Sequence, residues 1–142
     1  MAGHKAAATA PTWPTVNGDM LPASAFTQKP LLLDLLENKI TIHFIHRTLA
    51  ILLLVLTAWF TIRSLRMITT GKYLRRATWL PFSLLVMQIL LGIAALFSST
   101  SVKAGHWGTF EWVAQLHQVV GMLFMLALVF LLFLLGGTKR PD

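Results

Sequence analysis

Three long apolar runs dominate the chain, at residues 40–62, 79–97 and 112–135. Each reaches the ~20 residues a helix needs to cross a bilayer core, so the pattern predicts three membrane-spanning helices. Trp59, Trp79, Trp107 and Trp112 lie near the ends of these runs, where amphipathic rings favour the membrane interface. Pro81 falls in the first turn of the second predicted span, where its missing N–H costs little, and Gly136 and Gly137 close the third. The pattern before Ile40 is different. Residues 10–19 read Ala-Pro-Thr-Trp-Pro-Thr-Val-Asn-Gly-Asp, dense in turn formers. Pro30 then opens Leu31-Leu32-Leu33-Asp34-Leu35-Leu36-Glu37-Asn38. With proline at the first helical position and leucines opposed to Asp34 and Glu37, this stretch predicts a short interfacial helix. No internal repeat or low-complexity segment interrupts the chain.

Composition agrees with the pattern. Of 142 residues, 56% are hydrophobic and 12% charged. Soluble domains carry about twice that charged fraction, so the fold class is all-α integral membrane. The net charge of +7 could suggest nucleic acid. However, Arg63, Arg66, Lys72, Arg75 and Arg76 sit between two apolar runs, and Lys139 and Arg140 follow the last, without the aromatic interleaving that single-stranded nucleic acid needs. Such clusters mark cytoplasmic loops. They place the N-terminus outside and the C-terminus inside, in a membrane expected to be the bacterial plasma membrane. The expected organisation is an outer segment at 1–39, a three-helix membrane domain at 40–138 and a cytoplasmic tail at 139–142. Residues 1–10 lack the apolar core of a signal peptide. Export of the outer segment without an upstream helix is unusual, so the pattern points to sequence missing before Met1. Cysteine is absent, which excludes disulfides, thiolate metal sites and iron–sulfur clusters.

The chemistry concentrates on two histidines. The first span opens Thr41-Ile42-His43-Phe44-Ile45-His46-Arg47, and the third contains Leu116-His117-Gln118-Val119-Val120-Gly121. His46 and His117 lie about six and five residues into their spans, a depth of ~7–9 Å at about 1.5 Å per residue. By the charge rule both spans run from outside to inside, so both rings fall near the outer face. A histidine at such depth is costly without a partner and marks a functional site by default. Two of them at matching depth on different helices fit the axial ligation of one heme iron. The rival reading is a histidine hydrogen-bonded across helices. Arg47 is placed to meet a heme propionate or to act as an interfacial anchor. His43, one turn before His46, suits the heme edge or a plain interface position. Gly121 and Gly92 each lie one turn after a polar residue and permit close approach of a porphyrin or of another helix. Gln88, Gln115 and Gln118 are expected to bond within the bundle, while His106 and His4 are expected in solvent and near the terminus. Glu111 and Asp34 read as isolated outer carboxylates. Neither a zinc motif nor a phosphate-cradling glycine loop is present.

Five motifs in order carry a resemblance along nearly the whole chain. They are Pro11-Thr12-Trp13-Pro14-Thr15-Val16-Asn17-Gly18 with Leu21-Pro22, Glu37-Asn38, Phe44-Ile45-His46-Arg47, Gln88-Ile89-Leu90-Leu91-Gly92-Ile93, and Leu116 to Gly121. In these the chain resembles the C-terminal half of the heme A synthase family, membrane enzymes that convert heme O to heme A for cytochrome oxidase. The resemblance implies two four-helix halves in tandem, with a histidine pair in each. His46 and His117 align with the C-terminal pair, which binds a heme b cofactor. The other pair belongs to the substrate heme and has a glutamate three residues before its first histidine, where this chain has His43. On this basis the chain lacks the first four helices and most of the fifth, of which residues 2–6 resemble the end. The implied role is electron transfer through an iron-bound heme, with catalysis depending on a missing half or a partner. A non-catalytic heme-binding or assembly subunit of a respiratory oxidase complex is the alternative. Three helices only partly surround a heme, so partner helices from a missing half, an oligomer or a respiratory complex are expected alongside membrane lipid.

Overall fold

A computed structural model describes residues 9–67, 71–101 and 107–136. The elements are α1 (Leu31–Glu37), α2 (Lys39–Met67), α3 (Lys72–Ser98), a 3₁₀ turn (Ser99–Ser101) and α4 (Thr109–Gly136). Among the described residues the fold is all-α apart from one isolated bridge between Val16 and Asp19. Helices α2, α3 and α4 contain 29, 27 and 28 residues. At about 1.5 Å per residue they are roughly 40 Å long, enough to cross the ~30 Å hydrocarbon core and enter both headgroup layers. All three are long and apolar enough to span a membrane.

Helix α3 is the centre of the bundle, packing closely along α4 and less extensively along α2. Leu85, Ala95 and Leu96 of α3 are buried, as are Val120, Phe124, Ala127 and Leu131 of α4. Many of the remaining large apolar side chains, including Leu49, Leu52, Val86, Leu90, Leu126 and Phe130, point outward. In lipid that surface is no liability, because the helices satisfy their own backbone hydrogen bonds.

Two local expectations change. Helix α3 begins at Lys72 within the basic cluster, so Pro81 is inside the helix and buried rather than in the first turn. The polar segment 72–78 read as loop from its charge, yet it continues the helix beyond the membrane core, where charge is tolerated. A membrane helix accommodates such a proline when neighbouring groups take up the freed backbone. At α1, the carbonyl of Pro30 accepts the N–H groups of Leu33 and Asp34, which makes Pro30 the N-cap and Leu31 the first helical residue. The leucines of α1 are exposed and Asp34 is its one buried residue, so the helix turns its apolar side outward.

The outer segment is tied to the bundle by polar contacts. Val16 and Asp19 exchange backbone hydrogen bonds of 2.9 and 3.3 Å around Asn17 and Gly18, at φ 55° and 99°. Two successive positive φ values define the tight hairpin turn that Asn-Gly favours. His4, His106, Gly137, the 139–142 tail and the helix-end reading of residues 2–6 lie outside the described residues.

Candidate functional site

The site begins where α2 begins. Asn38 Oδ1 accepts the N–H groups of Ile40 and Thr41 at 3.1 and 3.4 Å, the capping geometry that starts a helix. Asn38 Nδ2 donates to Asp34 Oδ1 at 2.9 Å, and Thr41 Oγ1 donates to Asp34 Oδ2 at 2.5 Å. The backbone N–H of Gln28 also donates to Asp34 Oδ1, and that of Phe26 to Thr41 Oγ1. Asp34 and Thr41 are fully buried. Burial alone would raise the carboxyl pKa, but the hydrogen bonds from Thr41, Asn38, Gln28 and Phe26 outweigh it and hold the group below its ordinary value. Asp34 is therefore not the isolated outer carboxylate expected from its position in sequence. It clamps residues 26–28 to the start of α2.

Two turns along α2, Arg47 makes a second clamp. Its guanidinium donates to the carbonyls of Thr15 at 2.5 Å, Ala10 at 3.0 Å and Pro14 at 3.5 Å. A planar five-donor group is suited to gathering several carbonyls at once. Arg47 also lies 3.3 Å from Nε2 of His43. Because arginine only donates, that nitrogen accepts and His43 Nδ1 carries the proton. His43 is buried, and its Nδ1 has no hydrogen-bond partner among the described residues. A buried unpaired donor costs ~1–3 kcal/mol, which is where an absent acceptor is to be sought.

His46 is the next polar residue into the bundle. It is exposed, and it has no hydrogen-bond partner among the described residues. Its ring neighbour is His117 of α4, with centroids 6.3 Å apart and planes inclined by 66°. His46 is the eighth residue of α2 and His117 the ninth of α4, so both lie roughly 10–12 Å from their helix starts. The basic residues Arg63, Arg66, Lys72, Arg75 and Arg76 occupy the opposite end of α2 and the start of α3.

His117 is held by α3. Its Nδ1 is 2.9 Å from the carbonyl oxygen of Gln88, and its Nε2 is 3.2 Å from Gln88 Nε2. The carbonyl can only accept, so Nδ1 bears the proton and Nε2 presents its lone pair. The ring rests against Gly92, where an added Cβ would come within 3.1 Å of His117 Cε1. The Gln88 amide in turn rests against Gly121, where an added Cβ would come within 3.0 Å of Gln88 Nε2. The two glycines admit two polar side chains across one helix pair. The cross-helix hydrogen bond expected as the rival to ligation is present at both ring nitrogens, the Gln88 carbonyl taking the Nδ1 proton and the Gln88 amide facing Nε2, so a metal could bind Nε2 only in place of that amide.

This arrangement suits a metal that brings most of its own ligands. Among the described residues no three His, Cys, Asp or Glu side chains converge to hold a bare ion. A first-row metal held between two imidazoles at ~2.0–2.1 Å from each would put the ring centroids roughly 6 Å apart. The 6.3 Å between His46 and His117 matches that span. A Gly92 notch seats one ring, and a backbone carbonyl fixes its tautomer, as is common for metal-binding histidines. The residues present therefore fit a heme. Gln88 bonds within the bundle as the sequence led one to expect, but the sequence did not show that its partner is His117.

Comparison with known proteins agrees with the resemblance. Residues 1–129 match the family model for COX15-CtaA, described as a cytochrome oxidase assembly protein. The heme A synthase of Sinorhizobium medicae is 36% identical over 108 residues, covering 76% of this chain and 28% of that protein. The heme A synthase of Chelativorans sp. is 36% identical over 123 residues, or 87% of this chain and 31% of that protein. That of Agrobacterium fabrum is 30% identical over 125 residues, or 88% and 32%. The chain thus spans less than a third of the length of these relatives, all of them bacterial. No solved structure matches it. With a match along most of its length and three apolar helices, this membrane protein belongs to the heme A synthase family of cytochrome oxidase assembly proteins.

Proposed function

We propose that this chain is the half of a heme A synthase-type protein that holds a b-type heme between His46 and His117, for electron transfer during conversion of heme O to heme A. The observation that carries this reading is the 6.3 Å separation of two imidazoles that share no hydrogen bond and sit on helices centred on α3. A heme held by His46 and His117 would supply one-electron transfer when bound. His46 and His117 provide the ligand nitrogens. Gln88 orients His117 through its main-chain carbonyl, and Gly92 leaves room for the ring.

His43 and Arg47 close the outer side. The buried Nδ1–H of His43 is an unused donor suited to an acidic group at the heme edge. Both terminal nitrogens of Arg47 already meet Thr15, Pro14, Ala10 and His43, so a propionate bound at those nitrogens would compete with docking of the outer segment. The histidine end faces outward and the basic end faces the cytoplasm, following the positive-inside rule. The α4 face at Gln118, Met122, Met125 and Leu126 is exposed, and it is there that the further helices a complete heme enclosure needs could pack.

Heme titration of the purified chain, read by its absorption spectrum, tests the proposal. A one-to-one complex with a six-coordinate low-spin spectrum, oxidised and reduced reversibly, is expected. A chain that takes up no heme, or only a five-coordinate high-spin form, would remove the basis for the ligand pair.

A further inference from the structure

We infer that the Gln88 side chain is a reversible cap on the ligand nitrogen of His117, occupying it in the heme-free protein and leaving it when heme enters. The inference rests on the heme reading above for its release step, but the cap itself is independent of heme. Both contacts of the His117 ring come from one residue. The main-chain carbonyl of Gln88 takes the Nδ1 proton at 2.9 Å, so the lone pair at Nε2 is the ring's acceptor. The Gln88 amide nitrogen stands 3.2 Å from that lone pair as its donor. Were the amide turned over, its oxygen would face the same lone pair without a proton between them, so the tautomer settles the amide orientation. One lone pair cannot bond both an amide proton and a metal.

The side chain is poised to leave because it is only half satisfied. Gln88 Oε1 is buried and has no hydrogen-bond partner among the described residues, whereas the main-chain bond to Nδ1 does not depend on where the side chain goes. Gly121 is what allows the cap to close, since a Cβ there would press to 3.0 Å on the amide nitrogen. Gln88 is thus a positioning residue with two separable parts. Its backbone fixes the ring in both states, and its side chain satisfies a polar nitrogen at membrane depth until the ligand replaces it.

Two measurements on the full chain, with Gln88→Leu and Gln88→Met, test this. First, heme-free protein is treated with diethyl pyrocarbonate, and carbethoxylation at His117 is followed by peptide mass spectrometry, with His46 as the internal control. Removing one hydrogen bond of ordinary strength is expected to speed modification of His117 by roughly two- to tenfold and leave His46 unchanged. Second, hemin titration is expected to show binding tighter by a similar factor, with the same low-spin spectrum. Equal modification rates in wild-type and both variants overturn the cap, whatever heme does. Faster modification with equal or weaker heme binding overturns the release step. Faster modification with no heme bound by any of the proteins overturns the heme reading and the release with it. Circular dichroism confirms that each variant is folded, and the methionine variant keeps the length of the side chain if leucine does not pack.

Discussion

Replacing Gly92 with alanine tests whether the His117 ring is held in place by the absence of a side chain opposite it. The added Cβ would stand 3.1 Å from His117 Cε1 and 3.5 Å from Nδ1. The first distance is shorter than ordinary contact by a few tenths of an ångström. The ring cannot turn freely to avoid it, because Nδ1 is bonded to the Gln88 carbonyl at 2.9 Å. Overpacking of this kind costs ~1–3 kcal/mol. Alanine recovers about 0.8–1.0 kcal/mol of helix propensity relative to glycine, so the net loss of stability is small, about 0–2 kcal/mol. Melting temperature is therefore a weak readout and ligation a sharp one. If the displacement falls on the ring, heme affinity should drop roughly 5- to 150-fold, the factor that ~1–3 kcal/mol represents. Hemin titration with the absorption spectrum measures it. Gly136→Ala is the control, because a Cβ there meets nothing within 4 Å. Heme binding in Gly92→Ala as tight as wild-type, with an unchanged spectrum, would refute the claim that this notch positions the ligand.

Thr41→Val removes the donor to Asp34 and the acceptor for Phe26, at a cost of about 2–4 kcal/mol in docking of the outer segment. Hydrogen exchange at Phe26 and Gln28 should accelerate, while α3 and α4 stay protected. Arg47→Met leaves the carbonyls of Ala10, Pro14 and Thr15 without their shared donor, and limited proteolysis should then cut within 10–15 much faster than in wild-type. The Asp34 carboxyl is held below its ordinary value of 3.8, so its contribution is fully present above that pH and is lost as pH falls through the lowered value. Protection factors in the outer segment, which correct for the intrinsic pH dependence of exchange, should be unchanged from neutral pH to ~5 and fall only in stronger acid, whereas Asp34→Asn should abolish that acid dependence.

The membrane helices were legible because each is written as a continuous apolar run, and the family because its motifs are local. The histidine pair was legible because two polar rings at similar depth stand out against leucine. The start of α3 was not, since Lys72, Arg75 and Arg76 look alike in a loop and in a helical turn outside the hydrocarbon, and Pro81 moved from the helix start to its interior as a result. Asp34 looked solvated because its partners Thr41, Asn38 and Gln28 are ordinary polar residues whose convergence depends on the turn at α1. Arg47 was read for its charge alone. Its contacts are main-chain carbonyls more than thirty residues upstream, and carbonyls carry no sequence signature. Gln88 was expected to bond within the bundle, but which ring it holds is fixed only by the packing of α3 on α4.

Electron paramagnetic resonance of the ferric heme complex, recorded for wild-type, His46→Ala and His117→Ala, tests the ligand pair most directly. Wild-type should give a low-spin signal from two axial imidazoles, and each single variant should convert to high-spin as one ligand is lost. A low-spin signal that persists unchanged in both variants would contradict the assignment of His46 and His117 as the residues that hold the heme.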